Sequence, residues 1–114
     1  MAVRNITPPN PVLNTTVSSS TPVQSTPFSL EYIANPQVAY VVTVGAGLTA
    51  TFQIMVSDDG VNYYNSGQVL PSVSGSATTF IAQYSGAFPW VLFQVTQSAG
   101  SGTVLVEGFA KGSA

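Results

Sequence analysis

An antiparallel β-sandwich is the all-β fold class that this sequence predicts, and three observations predict it. From Phe28 onward, short runs of Val, Ile, Thr, Phe and Tyr are separated by turn residues at the spacing expected of a sandwich or barrel. Within the runs apolar residues alternate, as in Phe52, Ile54 and Val56, so each strand has one face to bury. No segment has a comparable helical pattern. Two sheets packed face to face, with jelly-roll-like or immunoglobulin-like connections, bury these faces most simply.

Turn residues divide this region into about seven strands. The glycine-rich segments at residues 45–47 and 100–102 are predicted to form hairpin turns, and an Asp-Gly hairpin turn ends at Gly60. The predicted strands cover residues 28–33, 37–44, 50–57, 62–65, 77–84, 90–96 and 103–109. Alternation predicts the core-facing residues Tyr40, Val42, Val44, Phe52, Ile54, Val56, Val91, Phe93, Val95, Val104 and Val106.

Some of these strands are apolar on both faces. Trp90 and Leu92 point opposite to Val91, so this strand needs cover on two sides. Because an antiparallel sheet normally leaves one face in water, Trp90 and Leu92 are candidate contacts of a subunit interface or a ligand. The alternative is that Trp90 closes one end of the sandwich.

The first 27 residues differ from the rest of the chain. Prolines recur among Thr, Ser and Asn, and proline both fixes φ and removes a hydrogen-bond donor. The sequence therefore predicts an extended N-terminal arm over residues 1–27, followed by the sandwich domain over residues 28–114. The arm is either a disordered tail or a segment that orders against a neighbouring subunit. In the second case the candidate contacts are Ile6, Pro8, Pro9, Val12, Leu13 and Val17.

Charge is scarce in this chain. Only 5% of residues are charged, against roughly 25% in ordinary soluble domains, and the net charge is −2. A surface of Ser, Thr, Asn, Gln and Gly tolerates close neighbours, whereas two basic residues cannot neutralise a run of phosphates. Nucleic acids and anionic membranes are therefore not expected partners, and the apolar runs are too short to span a bilayer. The N-terminus lacks a secretory signal, so synthesis in the cytoplasm is expected.

Catalysis is not predicted. The chain has no His and no Cys, which removes the usual base for a Ser or Cys nucleophile and the usual ligands of zinc. A glycosidase needs only two carboxylates, but Asp58 and Asp59 lie in a hairpin turn, where Asp accepts backbone hydrogen bonds. We expect no enzyme activity, no metal and no cofactor.

Tyr63 and Tyr64 are the best candidates for contacting a ligand. They follow the Asp-Gly turn, where a loop can present aromatic rings to a sugar. On a strand their side chains point to opposite sides, so the alternative places one ring in the core and one outside.

Three segments resemble a pattern found in small structural proteins of tailed-phage virions. They are residues 51–64 (TFQIMVSDDGVNYY), 90–96 (WVLFQVT) and 102–108 (GTVLVEG), about half of the chain. The resemblance is closest to capsid decoration, or cement, proteins. It implies a compact sandwich with an extended arm, a homotrimer, and binding to the major capsid protein or to neighbouring copies of the chain in the virion.

Two functional hypotheses follow. The leading one is a bacteriophage decoration protein that stabilises the head shell by bridging subunits, as the arm, the two-faced strands and the low charge indicate. The alternative is a carbohydrate- or receptor-binding module of a tail or head fibre, with Tyr63, Tyr64 and Trp90 as contacts.

Overall fold

The computed structural model describes residues 3–6, 10–31 and 33–113, which form two packed antiparallel sheets. In these residues there is no helix that could cross a membrane. The predicted β-sandwich is confirmed. The strands are β1 (Val3–Ile6), β2 (Leu13–Val17), β3 (Val23–Gln24), β4 (Phe28–Ser29), β5 (Ala34–Val44), β6 (Leu48–Ser57), β7 (Tyr64–Asn65), β8 (Val73–Ser74), β9 (Thr78–Tyr84), β10 (Trp90–Gly100) and β11 (Gly102–Ser113).

Each sheet is built around two long strands. The first sheet has the order β1–β11–β5–β9, and β2 also pairs with β11. The second has the order β3–β10–β6–β7, with β4 also on β10 and β8 also on β6. Each of the predicted strands overlaps an observed one, and the strands without a counterpart are the short β1, β2, β3 and β8. Short edge strands carry few alternating positions, so periodicity does not detect them.

The core lies between the sheets, on the faces that alternation assigned. All the predicted core-facing residues are buried, from Tyr40 in β5 to Val106 in β11. Phe93 lies at the centre of an aromatic cluster, with its ring centroid 5.4 Å from Tyr40 and 5.7 Å from Phe52. Rings at these separations contribute about 1 kcal/mol per pair beyond the area they bury. The cluster joins the two sheets at mid-height.

The prediction that both glycine turns are hairpins is wrong. Residues 45–47 connect β5 in the first sheet to β6 in the second, and Ser101 connects β10 in the second to β11 in the first. The glycines are needed because the two connections touch: a Cβ on Gly100 would overlap the carbonyl oxygen of Gly47, and the φ angles are 69° and 101°. Hairpins and connections between sheets use the same turn residues, so local sequence does not distinguish them.

Residues 3–24 contribute strands to both sheets. β1 and β2 pair with β11, and β3 pairs with β10. Between β1 and β2 the side chain of Asn10 takes the place of a strand, donating to the Gly108 carbonyl at 3.2 Å and accepting from the Gly108 N–H at 3.0 Å. The described part of the predicted arm is extended but forms an edge of the sandwich, because its apolar residues pack on the core of its own chain.

Candidate ligand-binding site

Three of the arm residues predicted to contact a neighbouring subunit contact the core of their own chain instead. Val12 and Val17 are buried in the core of their own chain, and Leu13 packs against that core. These three residues are therefore corrected from an intermolecular to an intramolecular role, since β2 pairs with β11 in the first sheet and its apolar side chains pack on the core. Pro8 and Pro9 lie outside the described residues. Ile6 pairs with Ala110 through its backbone, and its side chain also lies outside the described part.

Leu92 is not available to a subunit interface or a ligand. It is only 3% exposed although it lies on the outward side of β10, opposite Met55 of β6. The predicted contact is corrected here, because cover for this residue comes from within the chain.

Trp90 is half-buried and packs against the Asp-Gly turn. A Cβ placed on Gly60 would lie 2.9 Å from Cε2 of the indole, so the glycine backbone rests directly on the ring. Gly60 has a φ of 78°, in the region that favours glycine. The contact fixes the turn against β10, and it leaves only part of the indole for a ligand.

Asp59 organises the turn, as the sequence predicts. Its carboxylate accepts hydrogen bonds from the backbone N–H groups of Asn62 at 2.9 Å and Val61 at 2.8 Å, and from the Ser57 hydroxyl at 2.9 Å. These bonds, with the one from the Asn62 backbone largest, hold the pKa of Asp59 well below its usual range. The carboxylate is therefore used for structure.

The two candidate tyrosines differ in exposure. Tyr64 is exposed, whereas Tyr63 is half-buried and its hydroxyl is buried. Burial, and secondarily the Asp59 carboxylate, raises the pKa of the Tyr63 phenol. Of the two rings, Tyr64 is the one that a ligand could reach.

A cleft lies at one end of the sandwich, between the segment leading into β5 and the segment that joins β9 to β10. We call it the loop-end cleft. Its volume is about 720 Å³, within the usual range of ligand pockets. The lining residues are Leu30, Glu31, Ile33, Asn35, Pro36, Gln37, Ser85, Gly86, Ala87, Phe88 and Pro89.

Phe88 gives the cleft an aromatic surface. This residue is 42% exposed, whereas Phe28, Phe52 and Phe93 are buried in the core. The two segments of the cleft are tied together below it, because the Leu30 N–H donates to the Pro89 carbonyl at 2.6 Å. The ring is thus presented by an anchored loop.

Polar side chains surround this ring. Glu31, Asn35, Gln37 and Ser85 line the cleft and all are exposed, so their hydrogen-bonding groups face solvent. A carboxylate only accepts hydrogen bonds, whereas amides and hydroxyls both donate and accept. Asn35 also has a positive φ of 51°, a conformation that non-glycine residues adopt infrequently and that is found at functional sites.

Sequence analysis did not identify the loop-end cleft. Asn35 and Pro36 lie between the predicted strands at residues 28–33 and 37–44, and Phe88 lies between those at residues 77–84 and 90–96. The available signal was an aromatic residue followed by proline in a loop, at residues 88–89. Loops carry binding residues more often than the strands do. Among the described residues, no group of three or more acidic side chains could hold a metal ion.

Several solved structures are similar to this chain, and two of them are the following. One, described as "CBM4 structure and function", superposes with a TM-score of 0.51 at 15% identity, covering 93% of this chain and 86% of the other. Both are β-sandwiches. The second is the CBM22-1 xylan-binding domain of Paenibacillus barcinonensis Xyn10C, with a TM-score of 0.48 at 12% identity over 95% and 84% of the two chains. No family model and no curated protein matches the sequence.

The first of these structures is a carbohydrate-binding module with a β-sandwich fold, and none of the comparisons supports a virion component. The part of the phage resemblance that concerns the fold is therefore confirmed. The part that concerns capsid decoration gains no support, because its motifs are the hairpin and strand patterns that many β-sandwiches share. The expected absence of enzyme activity, the trimer and the location in a virion stay predictions.

Proposed function

We propose that this chain is a carbohydrate-binding module and that the loop-end cleft holds the sugar. The observation that carries the proposal is the exposed ring of Phe88 inside a cleft lined by exposed carboxylate, amide and hydroxyl groups. A pyranose ring offers an apolar C–H face and a rim of hydroxyls. An aromatic ring beside groups that donate and accept hydrogen bonds complements both features. The similarity of the fold to a carbohydrate-binding module supports the same function.

Charge in the cleft favours a neutral sugar. Glu31 is the one charged side chain among the described residues that line it, and the chain as a whole carries a net charge of −2. A carboxylate accepts hydrogen bonds from sugar hydroxyls, but it repels uronates and sulfated sugars. We therefore expect neutral polysaccharides to bind better than acidic ones.

The test uses affinity electrophoresis of the full chain in gels that contain soluble xylan, β-glucan, mannan or pectate. We expect retardation by at least one neutral polymer and none by pectate. Phe88→Ala should weaken binding by about tenfold or more, because the ring supplies most of the apolar contact. Glu31→Gln should weaken it by roughly fivefold, because an amide is a weaker acceptor than a carboxylate.

Val69→Ala is the control, since Val69 is a large apolar residue that is 93% exposed and does not line the cleft. It should bind as the unchanged chain does. Retardation by none of the neutral polymers would overturn the function. Loss of binding in Tyr64→Ala, with Phe88→Ala unaffected, would overturn the location and move the site to the turn that follows β6.

A further inference from the structure

We propose that the outward face of the first sheet binds a second copy of this chain in a two-fold symmetric dimer. This inference does not rest on the proposed function. It concerns a sheet face that adjoins the loop-end cleft, because Gln37 and Ser85 line both the cleft and the cavity on this face. The face is formed by the outward residues of β11, β5 and β9. Two large apolar residues on this face are exposed to solvent, Ile81 at 63% and Phe109 at 47%.

The apolar residues of this face form one patch. Register places Ile81 of β9 beside Val41 of β5, and Phe109 of β11 beside Ala39 of β5. Val41 and Ala39 are half-buried, so the patch runs without interruption across three strands. With neighbouring strands about 4.8 Å apart, it is about 10 Å wide. Contiguous exposed apolar surface of this kind is typical of protein interaction sites.

A cavity lies beside the exposed ring of Phe109. Its volume is about 680 Å³, and Ala39 lies opposite Phe109 in register. The small side chain of Ala39 leaves space between the ring and β9. The other lining residues are Gln37, Val38, Gln83, Tyr84, Ser85, Ala110 and Lys111. A projecting ring next to a recess that can hold it is self-complementary, because a two-fold axis between them puts each ring into the recess of the other copy.

Charge on the same face specifies the orientation of the second copy. Glu107 and Lys111 lie on the outward side of β11, two residues before and two residues after Phe109, and both are exposed. They are about 13 Å apart along the strand, too far to pair with each other. When two copies of β11 cross in opposite directions at Phe109, Glu107 of each copy lies near Lys111 of the other. Two intermolecular ion pairs result.

This complementarity favours a second copy over another occupant. A chain with six charged residues has two of them on this patch, with opposite signs and equal spacing from its central ring. A sugar or an unrelated protein would require no such symmetry. Complementary charges fix the register and orientation of an interface more than they add affinity.

The test measures the mass of the full chain by sedimentation equilibrium over a wide range of concentration. We expect a reversible monomer–dimer equilibrium. Phe109→Ser should shift the chain to monomer, and Lys111→Glu should weaken the dimer by about tenfold or more, because it places two like-charged pairs across the interface. The exchanged variant carrying both Glu107→Lys and Lys111→Glu should restore the dimer, since it rebuilds both pairs with reversed sign.

Asp58→Lys and Phe88→Ala are the controls, because they change an exposed charge and an exposed ring outside the patch. Both should dimerise normally, and circular dichroism should show every variant folded. A chain that is monomeric at all concentrations would overturn the proposal. So would a trimer, since two-fold pairing closes at two copies, and so would failure of the exchanged variant to recover what Lys111→Glu loses.

Discussion

The two sheets of the sandwich have outward faces of opposite character. On the second sheet, amide and hydroxyl side chains bind one another. Gln24 donates to Gln94 at 2.9 Å, Gln94 donates to Gln53 at 3.1 Å, and Thr96 donates to Gln53 at 2.9 Å. We call these four residues the amide ladder. On the first sheet the outward face carries Ile81 and Phe109, whose apolar side chains are exposed to solvent.

The difference shows that strand alternation does not determine whether an outward face is covered. Alternation determines which side chains point outward, and it does so correctly on both sheets. Whether the side chains on an outward face are covered depends on the side chains of the neighbouring strands. On the second sheet the polar side chains hydrogen-bond to one another, and Leu92 is buried. Among the described residues nothing covers the apolar patch of the first sheet in this way, which makes it the face to test for a partner.

Leu92→Ala tests the contrast between the two outward faces and should cause the largest loss of stability. Removing a buried leucine side chain leaves a cavity and costs about 2–4 kcal/mol in the free energy of unfolding, although the residue lies on an outward face. Ile81→Ala, the matched change on the first sheet, should cost less than about 0.5 kcal/mol in the monomer, since the residue is exposed. Urea unfolding followed by Trp90 fluorescence measures both. Equal costs would contradict the contrast between the faces.

Gly60→Ala should destabilise the second sheet where Trp90 meets the turn. The added Cβ would lie 2.9 Å from the indole, and φ is 78°, so we expect a cost of about 2–3 kcal/mol and a shift in Trp90 emission. Gly67→Ala is the control, because its φ is 82° but a Cβ there meets nothing within 4 Å. It should cost only the backbone strain, about 1 kcal/mol. Equal losses would show that the contact with Trp90 contributes nothing.

Gln53→Ala should open the amide ladder, because Gln53 accepts hydrogen bonds from both Gln94 and Thr96. We expect a cost of about 1 kcal/mol, the net value of such bonds at a partly exposed site. A double-mutant cycle with Thr96→Val measures the coupling between the two residues. Strict additivity would show that the ladder contributes no interaction energy.

Asp59→Asn should change how stability depends on pH. The folded pKa of Asp59 lies below the reference value of 3.8, so its carboxylate stabilises the fold above that pH and the contribution is lost as pH falls through the folded pKa. Acid titration of the unfolding free energy, from about pH 5 downward, should therefore be less steep in Asp59→Asn than in the unchanged chain. Asp58→Asn retains the Asp59 carboxylate and should keep the original slope.

The candidate site was harder to predict than the fold. Tyr63, Tyr64 and Trp90 were chosen because aromatic residues beside a turn can bind ligands, yet Tyr63 and Trp90 are partly used for packing. Phe88 and Glu31 are about 57 positions apart in the chain and share a cleft only because β4 and β10 are paired. Sequence separation of this size carries no local signal.

The sequence by itself determined that this chain forms strands, which side chains point inward, and that Asp59 closes a turn, because these properties depend on neighbours within a few residues. The tertiary structure decided that the glycine turns join two sheets, that residues 3–24 belong to the sandwich, and that Leu92 is covered while Phe109 and Phe88 are not. Those outcomes depend on which distant strands pair, and a pattern that repeats every two residues specifies a face without specifying what lies against it.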